Sequence, residues 1–493
     1  MLTEMSLGEA LREPSALARP VCVSLDGTLI ATHLFPERVA LLFRQRPWMV
    51  LALPFWMLGG SARLKQRVAR TSKLEPAVLP YRRPLIAALK ACREEGRKVV
   101  LAGASDAELA ERVATHLGLF DAVYVSDADQ ATPSSLPERL TAGYPGGFDF
   151  IGHSSDERAL LAASTRGFLV SAGASTVSAL SGLKQVDVVS RRPSILRALV
   201  KELRPHQWAK NALVVLPALL APTQSLTSVA EGTLAAATFS LCASAGYVFN
   251  DLLDLDADRI HATKSKRPFA SGALPTIFGF PIFVTLLALS FALAISFLPV
   301  AFVAMLALYF VGTVTYSLYL KRLLLLDVLV LAGLYTHRIL AGGIATGVHV
   351  SGWLLGFSMF LFTSLAFAKR FVELHGLSND DKVKNRGYAR VDLPMVTSMG
   401  TASGYVAALV FMLYVDSSVV RAAYREPSLL WLVLPALLYW LGRIWLLAGR
   451  GQMQEDPVKF ALSDRKSLAC VGLIGVIAVL ARFTPTWLTA VLH

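Results

Sequence analysis

Asn250, Asp251, Asp254 and Asp258 follow directly on an apolar run long enough to cross a bilayer. Lys264, Lys266 and Arg267 come next, ahead of Pro268. Charge on a helix that continues out of a membrane into a cavity is usually used for chemistry. On a helix, Asn250, Asp254 and Asp258 recur every four residues and share a face, with Asp251 beside them. Such a stripe of oxygen ligands suits Mg2+, a hard cation that often bridges to substrate phosphates, and the cations that follow lie within reach of phosphates held there. The bland reading is a solvated cytoplasmic loop. The four-residue period, with the Asn-Asp and Arg-Pro pairs, favours the chemical one.

The elements that must position this segment are membrane helices. Of the 493 residues, 54% are hydrophobic and 17% charged, too apolar for an ordinary soluble enzyme and too charged for a membrane bundle alone. Before Arg204 the chain reads as mixed α/β. After it, apolar stretches of about 20 residues dominate. Nine candidate spans fall near 212–222 (short), 229–249, 277–297, 300–320, 323–344, 353–368, 396–415, 429–447 and 468–480. One set of loops carries Arg259, Lys264, Lys266 and Arg267, then Lys321 and Arg322, then Lys369, Arg370, Lys382, Lys384, Arg386 and Arg390, then Arg450, Lys459, Arg465 and Lys466. The opposite loops carry only Arg421 and Arg425. By the positive-inside rule the Asp-rich segment, the Lys369 loop and the N-terminal domain are all cytoplasmic.

The net charge of +13 fits contact with anionic headgroups or polyphosphate substrates. No nucleic-acid motif accompanies it, so nucleic acid is not expected as a partner. Cys22, Cys92, Cys242 and Cys470 are scattered, which indicates neither a zinc site nor a disulfide framework. The first residues are polar and acidic, unlike a secretory signal. Two stretches stay open to two readings each. Ile195, Leu196, Leu199, Val200 and Leu203 form one apolar face, of an interfacial helix or of a linker helix packed on the soluble domain. The stretch 48–60, flanked by Arg44, Arg46, Arg63, Lys65, Arg67 and Arg70, is a helical insertion that dips into the membrane surface or a buried core helix.

In the N-terminal part, 21–24, 98–102 and 148–152 read as buried strands followed by turns and helices, the alternation of a doubly wound, Rossmann-like α/β sheet. With Asp26-Gly27-Thr28 after the first strand, residues 1–190 resemble the haloacid dehalogenase superfamily of phosphohydrolases. That family needs a nucleophilic Asp two residues before its acid/base Asp. Asp26 matches the second, but Ser24 stands at the first, with no neighbouring base to activate it. Gly103 replaces the hydroxyl residue that closes the second strand, although Ser105 is close. No lysine stands at the third station near 132–136, and His153 replaces a Mg2+-binding Asp. The resemblance therefore implies a catalytically retired domain kept as scaffold, regulatory module or partner-binding surface. Hydrolysis through Asp26, Asp156 and Ser24 is the weaker alternative.

Residues 191–206 read as an amphipathic interfacial linker, and 207–493 as the all-α polytopic membrane domain of about nine transmembrane helices. Asn250, Asp251, Asp254, Asp258, His261, Lys264, Arg267 and Pro268 together resemble the aspartate-rich motif of the UbiA-type intramembrane prenyltransferases. Most of that superfamily transfers a polyprenyl group to an aromatic acceptor, which remains an alternative here. The cationic stretch from Lys369 to Tyr388, the Arg204–Asn211 segment, Tyr316 to Lys321, Asp327, Arg338 with Gly342-Gly343, Asp456-Pro457 and Asp464-Arg465 are similar to the branch of decaprenyl-phosphate phosphoribosyltransferases. The resemblance implies a cytoplasm-facing enzyme of the bacterial inner membrane. It would transfer 5-phosphoribose from phosphoribosyl pyrophosphate to a polyprenyl phosphate, for lipid-linked pentose (arabinose) donors.

It further implies Mg2+ on Asn250, Asp254 and Asp258, with Asp251, Asp254, Asp258 and Glu373 catalytic and Asp251 or Glu373 orienting ribose hydroxyls. Lys264 and Arg267 share the diphosphate charge. Lys210, Lys321, Lys369, Arg370 and Arg386 are candidates for the 5-phosphate and lipid phosphate, because Arg suits bidentate phosphate contacts. Asn211, Tyr316, Arg338 and Tyr388 complete the substrate-binding set. Structural roles compete for several of these. Arg338 would pair with Asp327 inside the membrane, His261 would cap the loop, and Tyr316 would be an interfacial aromatic. A homo-oligomer is left open.

Overall fold

A computed structural model describes residues 11, 18–46, 49, 52–104, 106–125, 135–191, 194–221, 225–261, 263–377, 386–453 and 456–483. Ser105, residues 132–134, residues 47–48 and 50–51, and the run 379–385 lie outside them, so the readings placed there stop at the sequence. The chain folds into two compact units. The first is Met1–Leu203 with Tyr247–Phe283, and the second is Arg204–Gly246 with Val284–His493. The division at 191–206 thus follows chain order, whereas the Asp-rich segment packs within the first unit.

That unit is built on six parallel strands: β1 (Val21–Ser24), β2 (Val99–Ala104), β3 (Ala122–Val125), β4 (Asp149–Gly152), β5 (Arg166–Leu169) and β6 (Val186–Val188). Their order is β3-β2-β1-β4-β5-β6, the doubly wound arrangement that has its switch point between β1 and β4. Side chains alternate between two cores. Val21, Val23, Val99, Leu101 and Ile151 belong to one; Cys22, Val100, Ala102 and Phe150 belong to the other. Both faces are covered, so the strands read as continuous apolar runs rather than alternating ones. At the opposite end of the strands Arg97 and Asp149 form an ion pair at 2.6 Å with both side chains fully buried, and Arg97 also donates to the Leu11 and Arg19 carbonyls.

Of the stretch 48–60, only Leu53–Met57 forms a short helix, with Phe55, Met57 and Leu58 exposed. It is not a buried core helix. In the Ile195–Leu203 helix, Ala198 and Glu202 are buried while Ile195, Leu196 and Val200 are exposed. Its apolar face is therefore not spent on the soluble domain.

In the second unit and its continuations, eight helices among the described residues are long and apolar enough to cross a membrane. The short ninth candidate, whose start could lie as early as Trp208, holds an α-helix of nine residues, Ala212–Leu220, running on directly from the 3-10 helix Pro205–Asn211. At 1.5 Å per residue the α-helix rises about 14 Å, short of a bilayer, and Pro217 inside it removes a helical hydrogen bond. It lies backbone against backbone on the Leu326–Thr346 helix. A Cβ on Gly342 would overlap the Val214 carbonyl, the close approach that small residues permit between membrane helices. Gly400 similarly leaves room for Trp445 and Phe367. Val284, Leu289, Leu308, Val311, Leu409, Leu413, Val476 and Val479 are exposed along the spans, as a lipid-facing surface requires.

Candidate functional site

In the first unit, the crevice beyond the carboxyl ends of β1 and β4 is where an open α/β sheet usually binds ligand. Here it is filled. The chain leaves β1 through one wide turn, Leu25–Leu29, closed by Ile30 N–H donating to the Leu25 carbonyl at 3.0 Å. Gly27 adopts φ +66° and has no room for a Cβ, which would overlap the His153 ring. The Thr28 hydroxyl lies 3.2 Å from His153 Nδ1. Glu157 accepts from the His153 and Ser154 N–H groups at 2.7 and 3.1 Å. Burial would raise the Glu157 carboxyl, but the His153 hydrogen bond and charge, with the Ser24 hydroxyl, hold it low. Asp26 is pushed up by burial, against its hydrogen bond from the Leu34 N–H. Asp26 and Glu157 are thus each engaged by their own chain, with the His153 imidazole packed between Thr28 and Glu157.

The Asp-rich segment continues the helix Leu226–Leu253. Asp254 N–H donates to the Asn250 carbonyl and Asp258 N–H to the Asp254 carbonyl, both at 2.8 Å, and Asp254 stands at the N-cap position of the helix Leu255–Ile260 without a capping bond from its side chain. Asp251 and Asp258, seven residues apart, lie on one face and accept from the same Arg267 nitrogen, at 2.9 and 2.6 Å. Their side chains are 2% and 3% exposed, that of Arg267 29%. Burial raises the Asp258 carboxyl, with Arg267 opposing. The pairing joins Asp258 to Asp251 rather than to Asn250 and Asp254, the pair foreseen as its metal partners. His261 accepts from the Thr263 and Lys264 N–H groups at 3.2 and 3.4 Å, so it caps the loop. Lys264 begins the 3-10 turn that brings Arg267 back.

Among the described residues no trio of His, Cys, Asp or Glu side chains is gathered as a metal centre. The donor chemistry nevertheless fits a hard divalent ion. Two buried carboxylates already converge on one positive atom, with Asp254 and Asn250 on the preceding turn, and the cation that satisfies them is partly exposed.

The second unit holds two charged clusters. Asp327, at the start of its helix and fully buried, lies 2.9 Å from Arg370 Nε and 3.6 Å from Arg386 Nη1, and accepts from the Tyr388 hydroxyl at 2.8 Å. Glu373 pairs with Arg370 and, at 3.3 Å, with Arg386. Burial would lower the Arg386 pKa, but Glu373, then Tyr316 and Asp327, raise it. Gly387 admits the close approach of the Arg322 carbonyl, 3.1 Å from where its Cβ would be. In the other cluster Asp456 binds Lys210 at 2.8 Å and Lys369 at 3.7 Å and caps the helix Pro457–Ser463. Burial would raise its carboxyl, yet Lys369, Lys210 and its hydrogen bonds bring it down to about 2.

Tyr335 lies under both Lys210 and Arg338, at 5.8 and 5.3 Å. Arg338 donates to Asn211 Oδ1 and to the Tyr309 hydroxyl, each at 2.9 Å. It does not pair with Asp327. Eleven residues share nearly the same helical face but separate by about 16 Å of rise, beyond side-chain reach. Arg370, Arg386 and Tyr388 therefore gather on Asp327, with Glu373 and Tyr316 on those arginines; Lys210 and Lys369 gather on Asp456, and Asn211 and Arg338 on Tyr309. Lys321 lies in the 3-10 turn Leu320–Arg322. Asp327 and Asp456 organise these clusters, whereas the sequence offers Asp456 as a mark of resemblance and Asp327 also as a partner for Arg338. For Asp327, an acid at a span terminus among so many cations is the signal that identifies it.

The sequence profile described as "UbiA prenyltransferase family" matches residues 212–464. Over 470 residues the chain is 34% identical to a protein of Sinorhizobium fredii named "Uncharacterized protein y4nM", covering 94% of this chain and 91% of that one. It is 36% identical to the nodulation protein NoeC of Azorhizobium caulinodans, over 54% of this chain and 88% of NoeC. It is 35% identical to the decaprenyl-phosphate phosphoribosyltransferase of Mycobacterium tuberculosis over 199 residues, 38% of this chain and 64% of that enzyme.

Proposed function

The chain belongs to the UbiA prenyltransferase family as a multi-pass membrane transferase, and we propose that it moves 5-phosphoribose from phosphoribosyl pyrophosphate onto a polyprenyl phosphate. The observation that carries this reading is the surplus of positive charge in the second unit. Lys210, Arg338, Lys369, Arg370 and Arg386 are set among Asp327, Glu373 and Asp456, five cations against three carboxylates. One prenyl diphosphate and a single aromatic carboxylate call for less positive charge than that. A donor with a diphosphate and a separate 5-phosphate, meeting a lipid phosphate, calls for more. The likeness to the mycobacterial phosphoribosyltransferase supports the same choice.

The roles divide by residue type. Asp251, Asp254 and Asp258, with Asn250, would hold Mg2+, which when bound supplies positive charge to the departing diphosphate. Lys264 and Arg267 bind the diphosphate oxygens. Arg267 exchanges its carboxylate partners for phosphate, a charge-assisted contact of similar geometry. Lys210, Lys369, Arg370 and Arg386 bind the 5-phosphate and the lipid phosphate, and Glu373 orients ribose hydroxyls. The C1–O bond to pyrophosphate breaks as a lipid phosphate oxygen forms the new bond to C1, and pyrophosphate leaves with the electron pair. The acceptor is already an anion, so no strong base is needed, and catalysis is positioning and electrostatics.

The product would feed lipid-linked pentose synthesis. The loop charges support a reaction on the cytoplasmic side of the bacterial inner membrane. Purified protein given labelled phosphoribosyl pyrophosphate, Mg2+ and polyprenyl phosphate should yield a labelled lipid. An unlabelled lipid fraction, together with prenylation of an aromatic acid from a polyprenyl diphosphate, would replace this reading.

A further inference from the structure

Arg259 directly follows Asp258 in the sequence, yet it does not join Lys264 and Arg267 around the acids. Its side chain, 5% exposed, pairs at 2.9 Å with Glu37, 2% exposed, and also donates to the Val78 carbonyl at 3.3 Å. Both partners belong to the α/β domain, more than 180 residues earlier in the chain. Two further contacts hold the other side of the loop. Lys201 Nζ donates to the Lys266 carbonyl at 3.1 Å. Gly272, at φ +74°, lies so close to Ala31 and Thr32 that a Cβ would stand 2.8 Å from one and 3.0 Å from the other. The Asp251–Arg267–Asp258 cluster is bracketed by these tethers, all within one compact unit.

The anchor for the tethers is the turn Leu25–Leu29 that follows β1. Asp26 accepts from the Leu34 N–H at 3.0 Å and so fixes the first turn of the helix Leu34–Gln45, which carries Glu37. Ala31 N–H donates to the Pro80 carbonyl and Arg82 to the Gly27 carbonyl, binding that turn to the segment that carries Val78. We propose that the α/β domain is a positioning scaffold for the Asp-rich segment, with the Glu37–Arg259 ion pair as its latch. Glu37 and Arg259 are positioning residues. They fix the backbone from which Asp251, Asp254 and Asp258 project, and a buried ion pair is well suited to specifying one register, because breaking it strands an unpaired charge. The inference rests on the reading of the Asp-rich segment as the diphosphate site, not on the identity of the sugar or the acceptor.

The test uses the full chain in detergent or nanodiscs and inorganic pyrophosphate with Mg2+ as the probe, so that its failure is distinguishable from failure of the proposed transfer. Glu37→Ala should weaken pyrophosphate–Mg2+ binding by about tenfold, a coupling of ordinary size. In the transfer assay the same variant should raise KM for the diphosphate donor in proportion, leaving KM for the lipid acceptor within about twofold. The double exchange Glu37→Arg with Arg259→Glu should recover part of the lost affinity. Should Glu37→Ala not fold, Glu37→Gln, which removes the charge and keeps the shape, is held to the same outcomes. Unchanged pyrophosphate–Mg2+ binding, or equal rises in KM for both substrates, would overturn the proposal.

Discussion

The crevice at the carboxyl ends of β1 and β4 and the Asp251–Asp258 cluster are both acidic, and they differ in what satisfies the acids. In the crevice the backbone does so: Leu34 N–H on Asp26, and His153 and Ser154 N–H on Glu157. Such partners cannot leave, because their loss would unmake a helix start or a turn. In the cluster a part-exposed side chain, Arg267, bridges two buried carboxylates at once. That partner can be exchanged for a metal ion or a phosphate without unfolding anything. Fixed partners make an acid structural, and exchangeable ones leave it available for chemistry.

Five variants break or sharpen that contrast. Asp258→Asn should have the largest effect, lowering kcat/KM for transfer by roughly a hundredfold to a thousandfold, with the protein still eluting as a folded species. Lys369→Met should follow. It removes one charge-assisted phosphate contact, so KM for donor or lipid phosphate should rise by about tenfold to a hundredfold, with steady-state kinetics as the check.

Asp456→Asn reports on stability. In the folded protein this carboxyl sits at about 2, against an ordinary 3.8. A depressed carboxylate contributes stability above its unfolded pKa and loses it as pH falls toward the folded one. The wild type should therefore melt at constant temperature down to about pH 4 and weaken between there and pH 2. The variant should lose about 2 kcal/mol at pH 7 and show a flatter acid limb in thermal melts. The smallest effect belongs to the crevice. Asp26→Asn keeps an oxygen for Leu34 and should change stability by no more than about 0.5 kcal/mol, with transfer intact. Ser24→Asp should gain no phosphatase activity against a chromogenic phosphate ester, because His153 still fills the site. A loss of transfer in Asp26→Asn comparable to that in Asp258→Asn would collapse the distinction.

What the sequence made legible was local. Buried strands at 21–24, 98–102 and 148–152, long apolar runs, and the four-residue period of Asn250, Asp254 and Asp258 are each read from neighbours a few positions apart. What it hid was long-range pairing. Nothing near Arg259 announces Glu37, and nothing in the hydropathy of 247–283 says that this stretch packs with the α/β domain. Two charges within one span offer Arg338 and Asp327 as a pair, whereas rise along the helix decides against it. Asp456 lies outside the apolar runs and shows its role only once Lys210 and Lys369 converge on it. The short piece 212–222 looked like a ninth span because composition records apolarity, whereas Pro217 and length set what it can cross.

The seat of that short helix on Gly342 carries one more consequence. Helices that run the full depth of a bilayer tilt and slide to match its thickness. Ala212–Leu220 is too short to do so and is fastened to its neighbour rather than to lipid. Lys210, Asn211 and Arg338 consequently keep their mutual spacing when the surrounding membrane thins or thickens. The polar groups should hold the same geometry in short-chain and long-chain lipids, and transfer rates measured across such a series should vary little.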